Sequence, residues 1–213
     1  MTALAHEPTE AAMPHSDLDE ALWRAWQAAA ETLPEGFHAE IIEGSIEVSP
    51  TGRYSHGQAA NRLRRALDKF LETGEFAAYQ DINVIHERKV WITDVLVAPE
   101  DAEEQVTEDG IGLKSSAVEI AVEVVSPGYD GTSRDRVRKR RSYARAGIPV
   151  YILIDDYDGE GKVTVLTSPD PRRAEYAGVI RVPYGQEVAI PEGPAKGFVI
   201  GEAITGPARE AAP

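Results

Sequence analysis

Two apolar runs in this chain each carry an acid where a sheet would favour hydrocarbon. In VWITDVLV (90–97), strand alternation puts Asp94 on one face with Val90, Ile92 and Leu96. In AVEIAVEVV (117–125), Glu123 shares a face with Glu119, Ala121 and Val125, while Val118, Ile120, Val122 and Val124 line the other. The β-branched content of the second run favours strand over helix. An ionised carboxylate in such a setting costs several kcal/mol unless a cation compensates it. Each acid alone could lie at a strand edge or pair with an arginine. Two of them on neighbouring strands form a natural seat for a hard divalent ion such as Mg²⁺.

The residues just beyond the second run strengthen this reading. A turn, SPGYDG, leads into the helix RDRVRKRRSYARAG. Asp135, Lys139 and Tyr143 are spaced i, i+4, i+8 and share one helical face, while Arg134, Arg138, Arg141 and Arg145 share another. The first face could set an ammonium and a phenol over the carboxylates. The second could track a phosphate backbone. The plain alternative is a solvated arginine face with a helical ion pair between Asp135 and Lys139.

The rest of the chain frames these segments. Residues 1–16 lack periodicity and read as a disordered acidic tail. A helix is expected over 18–33, capped by Asp17, with Leu18, Leu22, Trp26 and Ala29 at helical spacing. Residues 38–48 read as a hairpin turning at Glu43-Gly44. Residues 56–72 form an amphipathic helix with Ala59, Leu63, Ala66, Leu67 and Phe70 on its stripe. Strands come next at 76–85 and 90–97, then an acidic loop or short helix at 99–110. A helix over 133–146 ends at Gly147, and a buried strand, PVYILID, runs from 149 to 155. Weaker strands fill 162–190, and 203–213 reads as a flexible tail. The order predicts one mixed α/β (α+β) domain over 17–202, a central sheet with an N-terminal helix and a β-hairpin.

Composition excludes several classes. The 213 residues contain no Cys, so disulfide scaffolds, Cys-ligated zinc, iron–sulfur clusters and thiol nucleophiles are out. No apolar run is long enough for a membrane span, and the N-terminus lacks a secretory pattern, so a soluble cytoplasmic protein is expected. The net charge of −14 argues against a globally basic binder, yet seven bases and one acid fall within 134–145. Gly52 and Gly57 have phosphate-loop spacing, but Gln58 stands where Lys is required. No G-x-S-x-G, H-E-x-x-H or G-x-G-x-x-G occurs. Asp156 to Gly161 lacks the first acid of a calcium loop and reads as a hairpin turn. Paired carboxylates also serve glycosidases, but no sugar-binding aromatic platform is evident.

Four blocks in order, EIIEGSIEVSP with the nearby His56, TDVLVAPE, VEVVSPG, and KRRSYARAGIPVYILID, resemble the Uma-type restriction-endonuclease family of the PD-(D/E)XK nuclease superfamily. The resemblance spans about 38–168. It implies a restriction-endonuclease-like mixed sheet flanked by helices. It implies Asp94 and Glu123 as the ligands of one or two Mg²⁺ ions, with Mn²⁺ able to substitute. The superfamily's usual Lys lies two residues after the Glu, where this chain has Val125. Lys139 matches the helical Lys that replaces it in this family. Glu40, His56 and Tyr143 match further family positions of supporting role. Thr93 stands where the family has Pro, and Val150 and Ile152 where it usually has Glu and Trp.

The resemblance thus implies a metal-dependent endonuclease acting on nucleic acid, DNA first. Asp94, Glu123 and Lys139 would be catalytic, and Arg138, Arg141 and Arg145 would contact backbone phosphates. A homodimer is an expectation, since two sites cut a duplex most simply. The competing reading is a catalytically silent module of the same fold that binds nucleic acid or a protein.

Overall fold

The computed structural model describes residues 16–209. All but the last residue of the expected N-terminal tail lies outside the described residues, as do residues 210–213. Helix α1 (Ser16–Thr32) has Asp17 and Asp19 in its first turn, where the helix dipole favours anions. It buries Trp23 and Trp26, whereas Leu18 is 69% exposed. The indoles, not the leucine spacing, select the inward face. Trp26 Nε1 donates to the Ala39 carbonyl at 2.8 Å, tying α1 to strand β1 (Phe37–Ile42). Strand β2 (Ser45–Pro50) returns through the expected two-residue turn, with φ of 48° at Glu43 and 80° at Gly44. Both central residues having positive φ is the type I′ geometry that suits hairpin twist.

Helix α2 (Tyr54–Leu71) buries Ala60, Leu63, Leu67 and Leu71, while Phe70 is 45% exposed. Strands β3 (Phe76–His86) and β4 (Lys89–Pro99) form a long antiparallel pair, and β5 (Leu113–Lys114) runs parallel to β3. The acidic segment is a loop holding one short 3₁₀ turn at Glu103–Gln105. Strand β6 (Ile120–Val124) is shorter than its β-branched run suggests, because Ser115–Ala117 winds into a 3₁₀ turn.

A helical crossover then leads to β7 (Val150–Asp155), which is parallel to β6. It consists of α3 (Tyr129–Ser133), a π-helical segment (Arg134–Lys139) and α4 (Arg140–Ala146). Gly147, at φ 74°, ends it in the left-handed conformation that glycine adopts without strain. Antiparallel β8 (Lys162–Asp170) and β9 (Glu175–Pro183) complete a sheet of order β2-β1-β4-β6-β7-β8-β9, with β3 also paired to β4 and β5 paired to β3.

Each face of this sheet carries a core. On one, α2 covers Val95, Val97, Val122 and Ile152, helped by β10 (Val188–Ala189), β11 (Val199–Ile200) and α5 (Glu202–Thr205). On the other, the crossover helix covers Leu96, Ala121 and Tyr151 through Tyr143 and Ala144. The fold is therefore the expected mixed α/β sheet flanked by helices. The C-terminal expectation needs correction over its described part. Ile204 is buried in the first core, and Arg209 pairs with Asp156 at 2.8 Å while lying over the Tyr184 ring, so residues 203–209 are not a free tail.

Candidate active site

Strand β4 pairs with β3 along one edge, but its other edge is shared. Strand β1 takes the start, with Ile41 opposite Val90, and β6 takes the end, from Val95 to Val97. Between them β4 lacks a ladder partner on that side among the described residues, and its main-chain groups must bond elsewhere. Side chains supply those bonds. Ile92 N donates to Glu40 Oε1 at 2.7 Å, and the Ile92 carbonyl accepts from Lys139 Nζ at 2.8 Å. On β6, Val124 N donates to Asp94 Oδ2 at 2.7 Å. The gap between diverging strands is thus the feature that lets an acid sit inside each apolar run.

Around this gap lies a cavity of about 160 Å³, lined by Glu40, His56, Asp94, Glu123 and Lys139 among others. Asp94 Oδ1 is 2.8 Å from His56 Nε2. Burial alone would pull the imidazole pKa down, but the hydrogen bond and charge of Asp94 hold it above its ordinary value. Gly52 gives the ring its space, since a Cβ there would lie 2.7 Å from it. Glu123 Oε1 accepts from Tyr143 Oη at 2.6 Å and from Lys139 Nζ at 3.1 Å. Lys139 also lies 2.8 Å from Glu40 Oε1. Burial, with help from Asp94, Asp135 and Glu40, raises the Glu123 pKa well above the carboxylate range despite Lys139. Burial lowers and the three carboxylates Glu123, Glu40 and Asp135 raise the Lys139 pKa, and the carboxylates win. Tyr143 is raised by burial and by Glu123, so it stays a neutral donor.

The structure thus brings Asp94, Glu123, Lys139, Glu40 and His56 to one cavity, with Tyr143 bonded to Glu123 from behind. The three arginines of the proposed phosphate stripe lie elsewhere and are not free. Arg141 grips Glu43 with two bonds of 2.8 and 2.6 Å, and Arg145 reaches the same carboxylate at 3.1 Å. Arg138 pairs with Glu47 and donates to the Ile42 carbonyl at 3.0 Å. The helical pair of Asp135 with Lys139, part of the plain alternative, does not form among the described residues. Asp135 accepts from Ser126 N at 3.1 Å and from Arg134 Nε at 3.0 Å instead.

Sequence reasoning passed over His38, Asp81 and Arg134 as cavity residues. Asp81 had a signal: it interrupts the strand FAAYQDINVI as Asp94 interrupts its own. It sits at φ 56°, an uncommon conformation for a non-glycine residue inside a strand.

A crystal structure of a "putative nuclease belonging to DUF820" from Anabaena variabilis has the same fold. It superposes with a TM-score of 0.63 over 89% of this chain and 96% of that one, at 18% identity. No curated protein matches. A family model described as "Putative restriction endonuclease" matches residues 24–200, a span that holds the split β4 edge and every side chain gathered at its cavity, and the chain accordingly belongs to this Uma2 family.

Proposed function

We propose that the protein is a divalent-metal-dependent nuclease that hydrolyses phosphodiester bonds of nucleic acid, DNA first, using Mg²⁺ held by Asp94 and Glu123, with Mn²⁺ able to substitute. One observation carries this reading. Glu40, Asp94, Glu123 and Asp135 gather around Lys139, Arg134 and His56, so the acids outnumber the bases, and burial raises the pKa values of Glu123 and Asp135. A divalent cation beside these carboxylates would favour their ionised forms.

The donor set fits such an ion. Mg²⁺ prefers hard oxygen ligands, takes one or two protein carboxylates, and fills its other positions with water and phosphate. Among the described residues no three His, Asp or Glu side chains close on a single point, so water and substrate would complete the site. When bound, such an ion polarises a phosphate and makes nearby water more acidic.

The chain's own residues supply the rest. Lys139 is held toward its protonated form by the carboxylates around it, which suits it to offset charge growing on the phosphoryl oxygens more than to accept a proton. His56 fixes the rotamer of Asp94, and Tyr143 fixes that of Glu123.

Purified protein incubated with plasmid and oligonucleotide substrates is expected to cut them only when Mg²⁺ or Mn²⁺ is added. Activity that survives in the Asp94→Ala, Glu123→Ala double variant overturns the assignment. The net charge of −14 favours the silent-module alternative. Metal titration separates the two, because a silent module binds no Mg²⁺ in a manner that depends on Glu123.

A further inference from the structure

Beside the carboxylate cavity runs a larger groove of about 610 Å³. The two share Ser49, Thr51, Ser126 and Arg134, so the groove opens directly onto the site. One wall is the end of β2 with the loop into α2, and the other is the Ser126-Pro127 turn with α3. Arg53, Arg134 and Arg138 line it. Arg138 is held by Glu47, and Arg134 engages Asp135 through Nε. Arg53 has no ion-pair partner among the described residues. Two tyrosines are chain neighbours of lining residues. Tyr54 follows Arg53, Tyr129 precedes Asp130, an acid of the groove wall, and each tyrosine is 85% exposed.

We propose that this groove binds an unpaired nucleic-acid strand leading out of the active site. Its phosphates meet Arg53 and Arg134, and its bases stack on Tyr54 and Tyr129. The inference rests on the nuclease reading and adds the form of the substrate. A duplex presents a phosphate charge about every 1.7 Å along its axis and calls for a broad basic platform. The strongest cluster of arginines here, Arg138, Arg141 and Arg145, is already paired with Glu43 and Glu47, which leaves a single positive charge in excess. A single strand needs only a cationic groove along one backbone and exposed aromatic faces for its bases. The groove supplies the arginines, and the exposed tyrosines next in the chain to its lining residues supply the aromatic faces.

Fluorescence anisotropy of a short labelled oligodeoxynucleotide, single-stranded or annealed to its complement, tests this in EDTA, where a metal-dependent enzyme cuts nothing. The single strand is expected to bind tighter than the duplex. Tyr54→Ala and Tyr129→Ala should each weaken single-strand binding roughly five- to a hundred-fold. Arg53→Ala should reduce the slope of log affinity against log salt by about 0.7. Tyr157→Ala, at an exposed tyrosine in the turn after β7 with no chain neighbour among the lining residues of either cavity, should change nothing. These residues are exposed, and thermal midpoints confirm that each variant is folded. Duplex binding as tight as single-strand binding, no binding of either, or wild-type affinity in the tyrosine and Arg53 variants overturns the proposal. Cleavage is scored separately with Mg²⁺. Tyrosine-dependent binding without any cleavage counts against the nuclease reading alone, and cleavage with tyrosine-independent binding counts against the groove alone.

Discussion

Lys139 uses all three of its donors: the Ile92 carbonyl and Glu40 Oε1 at 2.8 Å, and Glu123 Oε1 at 3.1 Å. It is almost fully buried, as are both carboxylates. Lys139→Met keeps most of the stem's volume and removes the counter-charge. Stripping one partner from a buried ion pair typically costs about 3–5 kcal/mol. The loss should depend on pH. The folded Glu123 pKa already lies above the ordinary carboxylate value. Between those two values the native state holds a proton that the unfolded chain has released, so stability falls as pH rises. Removing Lys139 pushes Glu123 higher and extends that fall to higher pH. Denaturant midpoints should therefore show a larger deficit for Lys139→Met at about pH 8 than at about pH 5. An equal deficit at both would mean that Glu123 does not carry the effect.

At the scale of elements, the β1–β2 hairpin tip is fastened to the crossover helix through Glu43. Its φ of 48° is uncommon for glutamate, and three arginines surround its carboxylate. Burial raises the Glu43 pKa, but Arg141 and Arg145 outweigh it and bring the net value below the ordinary one. An acid depressed in this way adds stability above its unfolded pKa and loses it as pH falls through the folded value. Glu43→Asn tests this cleanly, because Asn tolerates the positive φ and only the ion pairs disappear. The variant should lose about 1 kcal/mol near neutrality, since the arginines are partly solvated. The gap to wild type should close once pH drops below the carboxylate range, as denaturant midpoints would record.

This hairpin also marks how far the sequence is legible. Its turn could be read from Glu43-Gly44, and the strands from β-branched alternation, because both signals are local. The destination of Arg138, Arg141 and Arg145 could not, because Glu43 lies about a hundred residues away in the chain. The π-helical segment was hidden for a related reason. Local spacing assumed 3.6 residues per turn, and the wider turns across Arg134–Lys139 aim Asp135 at Ser126 rather than at Lys139. Asp94 and Glu123 were visible because a carboxylate among valines and isoleucines is anomalous in any fold. Which backbone groups they would satisfy depended on the divergence of β1 and β6 along β4, and no local pattern encodes that.

Across the whole molecule, the carboxylate cluster joins the two strands at the centre of the sheet, β4 and β6, between the two cores. Its excess charge is held apart by the fold itself, in a chain that already carries −14. A cation that binds only the native state stabilises that state in proportion to the logarithm of its saturation, about 2.7 kcal/mol at a hundred times Kd. For a domain of this size that corresponds to a rise of about 5–10 °C in thermal midpoint. Mg²⁺ is therefore expected to raise the wild-type midpoint by that amount. The Asp94→Asn, Glu123→Gln double variant should show almost no rise. Its metal-free midpoint should fall below that of the wild type, because Lys139 and His56 each lose a carboxylate partner. Differential scanning calorimetry with and without Mg²⁺ reads both effects. An equal rise in the two proteins would place the ion elsewhere.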